Sequence, residues 1–170
     1  FVIIKNSVSE SQADKTAKFL WEFENKNPYE PLTWNSKPRA EMQMKELVGT
    51  GMVEVYNHQT LWDNRQSKKI YDAFVDVWGT HKLWVSIDRA NLNFPIGEYN
   101  QNLGFIHWDY DPDTKPVNVQ GVLALSDQID EKMGGFQCVP RLFREYDYWK
   151  LKQPKNRDKF KPDISDFKNE

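Results

Sequence analysis

The stretch FIHWDYDP, residues 105–112, decides the fold and chemistry expected of this chain, because an apolar run ends in a histidine and a carboxylate two residues apart. Side chains at positions i and i+2 of a strand point to the same face, so His107 and Asp109 can reach one ion while Trp108 faces the other way. An imidazole and a carboxylate with open coordination positions suit a non-haem Fe(II) oxygenase, but that triad needs a second histidine. The stretch therefore predicts part of a metal site.

The composition limits which partners and which cellular compartment can be expected for this protein. With 170 residues, 39% apolar and 14% aromatic, the chain suits one globular domain. Lys and Arg number 23 against 25 Asp and Glu, a formal charge of -2, so the sequence predicts no nucleic-acid partner. No apolar run approaches the roughly 18 residues of a membrane-spanning helix, which predicts no membrane partner. The single cysteine, Cys138, fits a reducing compartment, and we predict a cytoplasmic protein.

Helical patterns dominate the first 80 residues. Ser7 or Ser9 can cap a helix from about residue 10 to residue 24, where apolar side chains recur at helical intervals. A second helix is predicted around residues 70–78, where apolar side chains recur at i, i+4 and i+7, and Gly79 supplies its stop.

The other segments have loop and strand patterns. Residues 25–38 contain three prolines and predict a surface loop with Trp34 packed against the body, whereas residues 41–48 fit either a helix or a strand. Apolar runs between turn signals predict strands at residues 1–5, 83–89, 105–108, 117–125 and 136–139. Helices first and strands second is typical of an α+β domain built on a barrel or jelly roll.

Three blocks resemble the phytanoyl-CoA dioxygenase family of Fe(II)- and 2-oxoglutarate-dependent oxygenases. They are FIHWDYDP, then VQGVLALSD at residues 119–127, then GGFQCVP at residues 134–140, in the order of the family. The resemblance implies an α+β fold with a mainly β core. That core would be a double-stranded β-helix of the jelly-roll or cupin type with flanking helices, incomplete at its C-terminus.

The resemblance also implies a domain plan. Residues 1–170 would form one oxygenase-like domain with a helical part at 1–80, the start of the jelly-roll core at 81–140 and a connecting tail at 141–170. Because the family's last core strands would begin about where this sequence ends, the chain would be a fragment of a longer one.

By that resemblance His107 and Asp109 are the first two iron ligands, and the third is a downstream histidine. The chain has no histidine after Asp109, and no arginine that follows such a histidine to hold 2-oxoglutarate. Three explanations stay open: a fragment, recruitment of His58 or His81 as third ligand, or a short relative that has lost iron.

The resemblance assigns further pocket residues. Asn91 and Phe105 would contact 2-oxoglutarate, while Arg89 and Trp108 would face the substrate. The plainer alternatives are that Arg89 pairs on the surface with Asp88 or Glu98, and that the two aromatic residues belong to the core.

The implied activity is hydroxylation of a small-molecule substrate with O2 and 2-oxoglutarate, giving succinate and CO2. The metal and co-substrate supply the difficult chemistry, and the protein orients the substrate and excludes water. One alternative is a catalytically inactive jelly-roll module that lacks a complete iron site and binds a partner, with self-association through sheet edges left open. Another is a cupin-type isomerase or metal hydrolase, since fold alone does not fix chemistry.

Overall fold

The computed structural model describes residues 1–34, 36, 44, 50–95 and 104–167, and most of the regular structure in these residues is helical. The short strands Met52–Val53 (β1) and Ala90–Asn91 (β2) pair antiparallel. The α-helices are Glu10–Phe23 (α1), Gln59–Arg65 (α2), Lys68–Trp78 (α3), Pro140–Arg144 (α4) and Tyr146–Leu151 (α5). Short 3-10 helices lie at Pro31–Thr33, Pro112–Thr114, Glu131–Met133 and Ser165–Phe167. Each helix in these residues is too short or too polar to cross a membrane.

The predicted jelly roll with a mainly β core is wrong. In the described part of the chain the sheet consists of β1 and β2 alone, each two residues long. The predicted strands at residues 1–5, 83–89, 105–108, 117–125 and 136–139 are extended or irregular chain, and none of them has a ladder partner among the described residues. These segments carry strand-like side chains, but a strand exists only where a second backbone pairs with its N–H and C=O groups.

Both predicted helices are confirmed, because their signals are local. The Ser9 hydroxyl accepts a hydrogen bond from Gln12 N at 3.2 Å and caps α1. Helix α3 ends at Gly79, which has a left-handed φ of 63° and donates its N–H to Val75 O at 2.7 Å.

The loop predicted at residues 25–38 is also loop where it is described, apart from one turn of 3-10 helix. Trp34 is packed as expected, because its ring stacks on Phe94 at 5.4 Å and its indole N–H donates to Asn27 O at 2.9 Å. The segment 41–48, predicted as helix or strand, lies outside the described residues except for Met44.

The chain divides into two compact units. The larger unit comprises Ile3–Gln101 and Leu123–Gly134, and the smaller unit comprises Phe1–Val2, Asn102–Val122 and Gly135–Glu170. Helices α1, α2 and α3 belong to the larger unit, while α4 and α5 belong to the smaller one.

A buried polar contact joins α1 to α2 in the larger unit. Gln12 Nε2 donates to Thr60 O at 2.9 Å and to Asn64 Oδ1 at 3.1 Å. Asn64 Nδ2 in turn donates to Thr16 Oγ1 at 3.1 Å. These bonds matter because an unpaired buried donor or acceptor costs about 1–3 kcal/mol. Leu20, one turn beyond Thr16 on α1, is also buried.

The smaller unit has an aromatic core. Helix α4 begins with Pro140, whose fixed φ suits the first helical turn. The buried core consists of Leu142, Tyr146, Trp149 and Phe167, with Trp108, Val139 and Ile164 packed against it.

Leu20→Ala should lower the free energy of unfolding of the larger unit by about 2–5 kcal/mol, because truncation of a core side chain leaves a cavity. Leu20 is 1% exposed, whereas Leu32, the matched control, is 84% exposed. Leu32→Ala removes the same atoms from the surface and should change the free energy by less than about 0.5 kcal/mol. Urea unfolding followed by circular dichroism measures both, and equal effects would contradict this core.

Candidate functional site

The site segment, residues 104–111, has no regular secondary structure and lies in the smaller unit; it begins at Gly104, which has a left-handed φ of 70°, and it bends at Asp109 and Tyr110. The side chains of Phe105, His107 and Asp109 are exposed, while those of Ile106 and Trp108 are half-buried. From Phe105 to Asp109 the exposed and half-buried side chains therefore alternate as they would along a strand, although these residues pair with no other strand in the described part of the chain. His107 and Asp109 consequently lie on one face.

Trp108 holds the site segment on the aromatic core. Its ring centroid lies 5.8 Å from that of Tyr146, edge to face, and 6.3 Å from that of Phe143. Such pairs contribute about 0.5–1.5 kcal/mol beyond area burial. Its backbone N–H also donates to Phe160 O at 2.8 Å. Trp108 thus has the packing role that was the alternative to its predicted contact with substrate.

The two predicted ligands meet at the surface. His107 Nε2 lies 3.3 Å from Asp109 Oδ1, and the side chains are 46% and 48% exposed. Two donors on neighbouring positions of one metal ion, each about 2.1 Å from it, stand about 3 Å apart. His107 Nδ1 lies 3.3 Å from Phe105 O, so a proton on Nδ1 leaves Nε2 free to bind a metal. The pair therefore fits two positions of a metal site.

A third ligand is not found in the part of the chain that the structure describes, which contains no group of three His, Cys, Asp or Glu residues able to share a metal. In the larger unit, His58 Nδ1 caps α2 by accepting from Thr60 N at 3.3 Å, and its ring stacks on Phe19 at 3.6 Å. His81 contacts Tyr71, whose hydroxyl donates to His81 O at 2.9 Å. Both alternative ligands therefore have local structural contacts.

Arg89 and Asn91 lie in the larger unit. Arg89 Nε is 3.6 Å from Asp88 Oδ1, and the Arg89 N–H donates to the same oxygen at 2.7 Å. This is the surface pairing that was the alternative for Arg89, and Glu98, the other partner considered, lies outside the described residues. Asn91 is exposed and pairs with Met52 across the short sheet. Their roles toward substrate and 2-oxoglutarate stay predictions.

A charged network that the sequence did not predict surrounds Asp113, just beyond the His107–Asp109 pair. Asp113 Oδ1 accepts from the Tyr146 hydroxyl at 3.0 Å and from Lys150 Nζ at 3.2 Å. Asp113 Oδ2 lies 3.4 Å from Arg157 Nη2 and 3.2 Å from Lys159 Nζ. We call these five residues the Asp113 network. Tyr146 and Arg157 are 33 and 44 residues away in sequence, so spacing gave no signal.

The network shifts the ionisation of its members. The hydroxyl of Tyr146, followed by the ammonium groups of Lys159 and Lys150, lowers the pKa of Asp113 from 3.8 to about 2. Hydrogen bonds to Asp113 and Asp147 raise the pKa of Lys150, while burial raises the pKa of the Tyr146 phenol. Asp113 therefore stays ionised at neutral pH and ties the tail to α5.

The chain is distantly similar in sequence to one curated protein. No protein-family profile matches the chain, and no solved structure matches it. The chain is 25% identical over 163 residues to Ava biosynthesis cluster protein O of Aspergillus versicolor, an alignment that covers 92% of this chain and 52% of that protein. The chain thus spans about half the length of this curated relative.

Asp113→Asn should make the thermal stability of the protein less dependent on pH under acidic conditions. A carboxyl group whose pKa falls on folding stabilises the native state above its ordinary value of 3.8, and that contribution is lost as the pH falls toward about 2. The melting temperature of the wild-type protein should therefore fall more steeply between about pH 4 and pH 2 than that of the variant.

The exposed Asp166, for which no pairing is described, provides the matched control in the same unit. Asp166→Asn should leave the wild-type slope unchanged in the same thermal scans. Equal slopes for wild type and Asp113→Asn would show that the network does not stabilise the fold.

Proposed function

We propose that the protein is an Fe(II)- and 2-oxoglutarate-dependent dioxygenase of the phytanoyl-CoA dioxygenase family, which hydroxylates a small-molecule substrate in the cytoplasm with succinate and CO2 as co-products. The observation that carries the proposal is the 3.3 Å approach of His107 Nε2 and Asp109 Oδ1 on one face of the site segment. The proposal concerns this site, and the jelly roll is not part of it.

The donor types fit the metal. Fe(II) in such oxygenases takes imidazole and carboxylate ligands and keeps neighbouring positions for co-substrate and O2. When bound, the iron would supply oxidising chemistry in which O2 is the oxidant and 2-oxoglutarate is the co-substrate consumed. Phe105 O orients the His107 ring, Asp109 supplies the negative charge, and Trp108 holds both ligands in place. A complete site needs a third donor from outside the described residues.

The distant relative is compatible with this activity. It is named as a biosynthesis cluster protein, and it aligns with nearly the whole of this chain. A name of that kind fits an enzyme that modifies a small molecule. The alignment covers only about half of the relative. It therefore identifies neither the substrate nor the remaining residues of the site, and both are part of what we propose.

A second candidate is a catalytically inactive module that binds a protein partner. Its supporting observation is the exposure of apolar side chains on extended segments, with Val117 84% and Val122 72% exposed. Extended chain with free backbone groups can add a strand to a partner. Metal binding separates the two candidates, since the module needs none.

His107→Ala and Asp109→Ala should each weaken Mn(II) binding by tenfold or more, because loss of one ligand leaves a single protein donor at the site. Mn(II) replaces Fe(II) here because it is stable in air, and isothermal titration calorimetry measures its affinity. With Fe(II) and O2, both variants should also release no succinate from 2-oxoglutarate.

His81→Ala is the matched control, because it removes an exposed histidine of the larger unit and should bind Mn(II) as wild type does. Unchanged Mn(II) affinity in the His107 and Asp109 variants would contradict the iron assignment. A wild-type protein that binds no Mn(II) would favour the inactive module.

A further inference from the structure

The tail segment, residues 157–161, is fixed against the site segment. The backbone bond from Trp108 N to Phe160 O joins the two segments. Arg157 and Lys159 are both held by Asp113, with shortest distances of 3.4 and 3.2 Å. The position of this tail segment therefore depends on a backbone bond and on two charged contacts.

Lys161 has a fixed backbone within this segment. Asp158 Oδ1 accepts from Phe160 N at 2.9 Å and from Lys161 N at 3.2 Å. A short acidic side chain that bonds the backbone two and three residues onward holds a turn in place. The Lys161 side chain thus starts from a defined point beside the site.

The Lys161 ammonium group lies over the Phe105 ring, which neighbours His107. Its Nζ lies 4.9 Å from the centroid of the Phe105 ring, which is itself 4.8 Å from the centroid of the His107 ring. Lys150 and Lys159 are paired with carboxylates at 3.1–3.3 Å, whereas no such pairing is described for Lys161. A cation over an aromatic ring gains only about 0.5–1 kcal/mol at an exposed position. Its charge therefore remains available to a ligand.

We propose that Lys161 binds a carboxylate group of the molecule that occupies the His107–Asp109 site. This inference rests on the proposed function and adds a binding residue to it. The exposed face then offers a metal-binding pair, the apolar ring of Phe105 and one cation. A carboxylate that carries an apolar or metal-binding body is the ligand that fits this set. The carboxylate belongs either to 2-oxoglutarate or to the substrate, and the shared chemistry is the anion.

Lys161→Gln removes the charge and keeps most of the length of the side chain. Lys152→Gln is the matched control, because Lys152 Nζ also lies over an aromatic ring, that of Tyr148 at 4.1 Å, in the same unit. Calorimetry measures Mn(II) first, and then 2-oxoglutarate or octanoate added to the Mn(II)-loaded protein. Octanoate serves as a probe for a substrate with an apolar body.

Mn(II) affinity should be the same in the wild type and both variants. In Lys161→Gln the affinity for at least one of the two carboxylates should fall about tenfold or more, while Lys152→Gln should retain wild-type affinity. Lys161→Arg should restore binding because it restores the charge. Loss confined to 2-oxoglutarate assigns the carboxylate to the co-substrate, and loss confined to octanoate assigns it to the substrate.

Unchanged affinity for both carboxylates in Lys161→Gln, with Mn(II) binding intact, would overturn the role of Lys161 and leave the proposed function standing. Absence of Mn(II) binding in the wild type would overturn the proposed function and this inference with it. Matching thermal unfolding curves for all variants confirm that the comparison is between folded proteins.

Discussion

The packing of Trp108 is the contact on which the candidate site depends. Its indole lies against Tyr146 and Phe143, and its backbone N–H is bonded to Phe160 O. Because side chains alternate along an extended chain, an inward Trp108 turns both of its neighbours, His107 and Asp109, outward onto one face. The aromatic core of the smaller unit therefore takes the place of the sheet that was expected to orient the pair.

The Asp113 network gives the tail a comparable constraint. Partly exposed ion pairs each contribute little, commonly below about 1 kcal/mol. Here, however, the Asp113 carboxylate accepts a hydrogen bond from a phenol hydroxyl and contacts three cations, so this one side chain anchors all four groups. This anchor keeps Lys161 beside the site segment. The positive charge of Lys161, the ring of Phe105 and the donors of His107 and Asp109 thus come together although Lys161 is far from the others in sequence.

The sequence predicted what local signals determine. Ser9 and Gly79 marked the ends of helices α1 and α3, because caps and stops act within one turn. The strand predictions were wrong because a ladder needs a second backbone. The pattern of apolar side chains at residues 117–125 cannot show whether such a partner is present. The i, i+2 spacing placed His107 and Asp109 together, since it requires only extended chain. The Asp113 network could not be predicted from the sequence. Its three cations lie in residues 141–170, whose composition predicted only a connecting tail.

The most direct test of the site is to locate a bound paramagnetic ion by NMR. Mn(II) added at a fraction of the protein concentration should broaden the amide signals of residues 105–109 first and those of residues 160 and 161 next, because the site segment and the tail segment lie together. Broadening centred on other acidic surfaces, such as the one at Glu10 and Asp14 on α1, or no broadening at all, would contradict a metal site at His107 and Asp109.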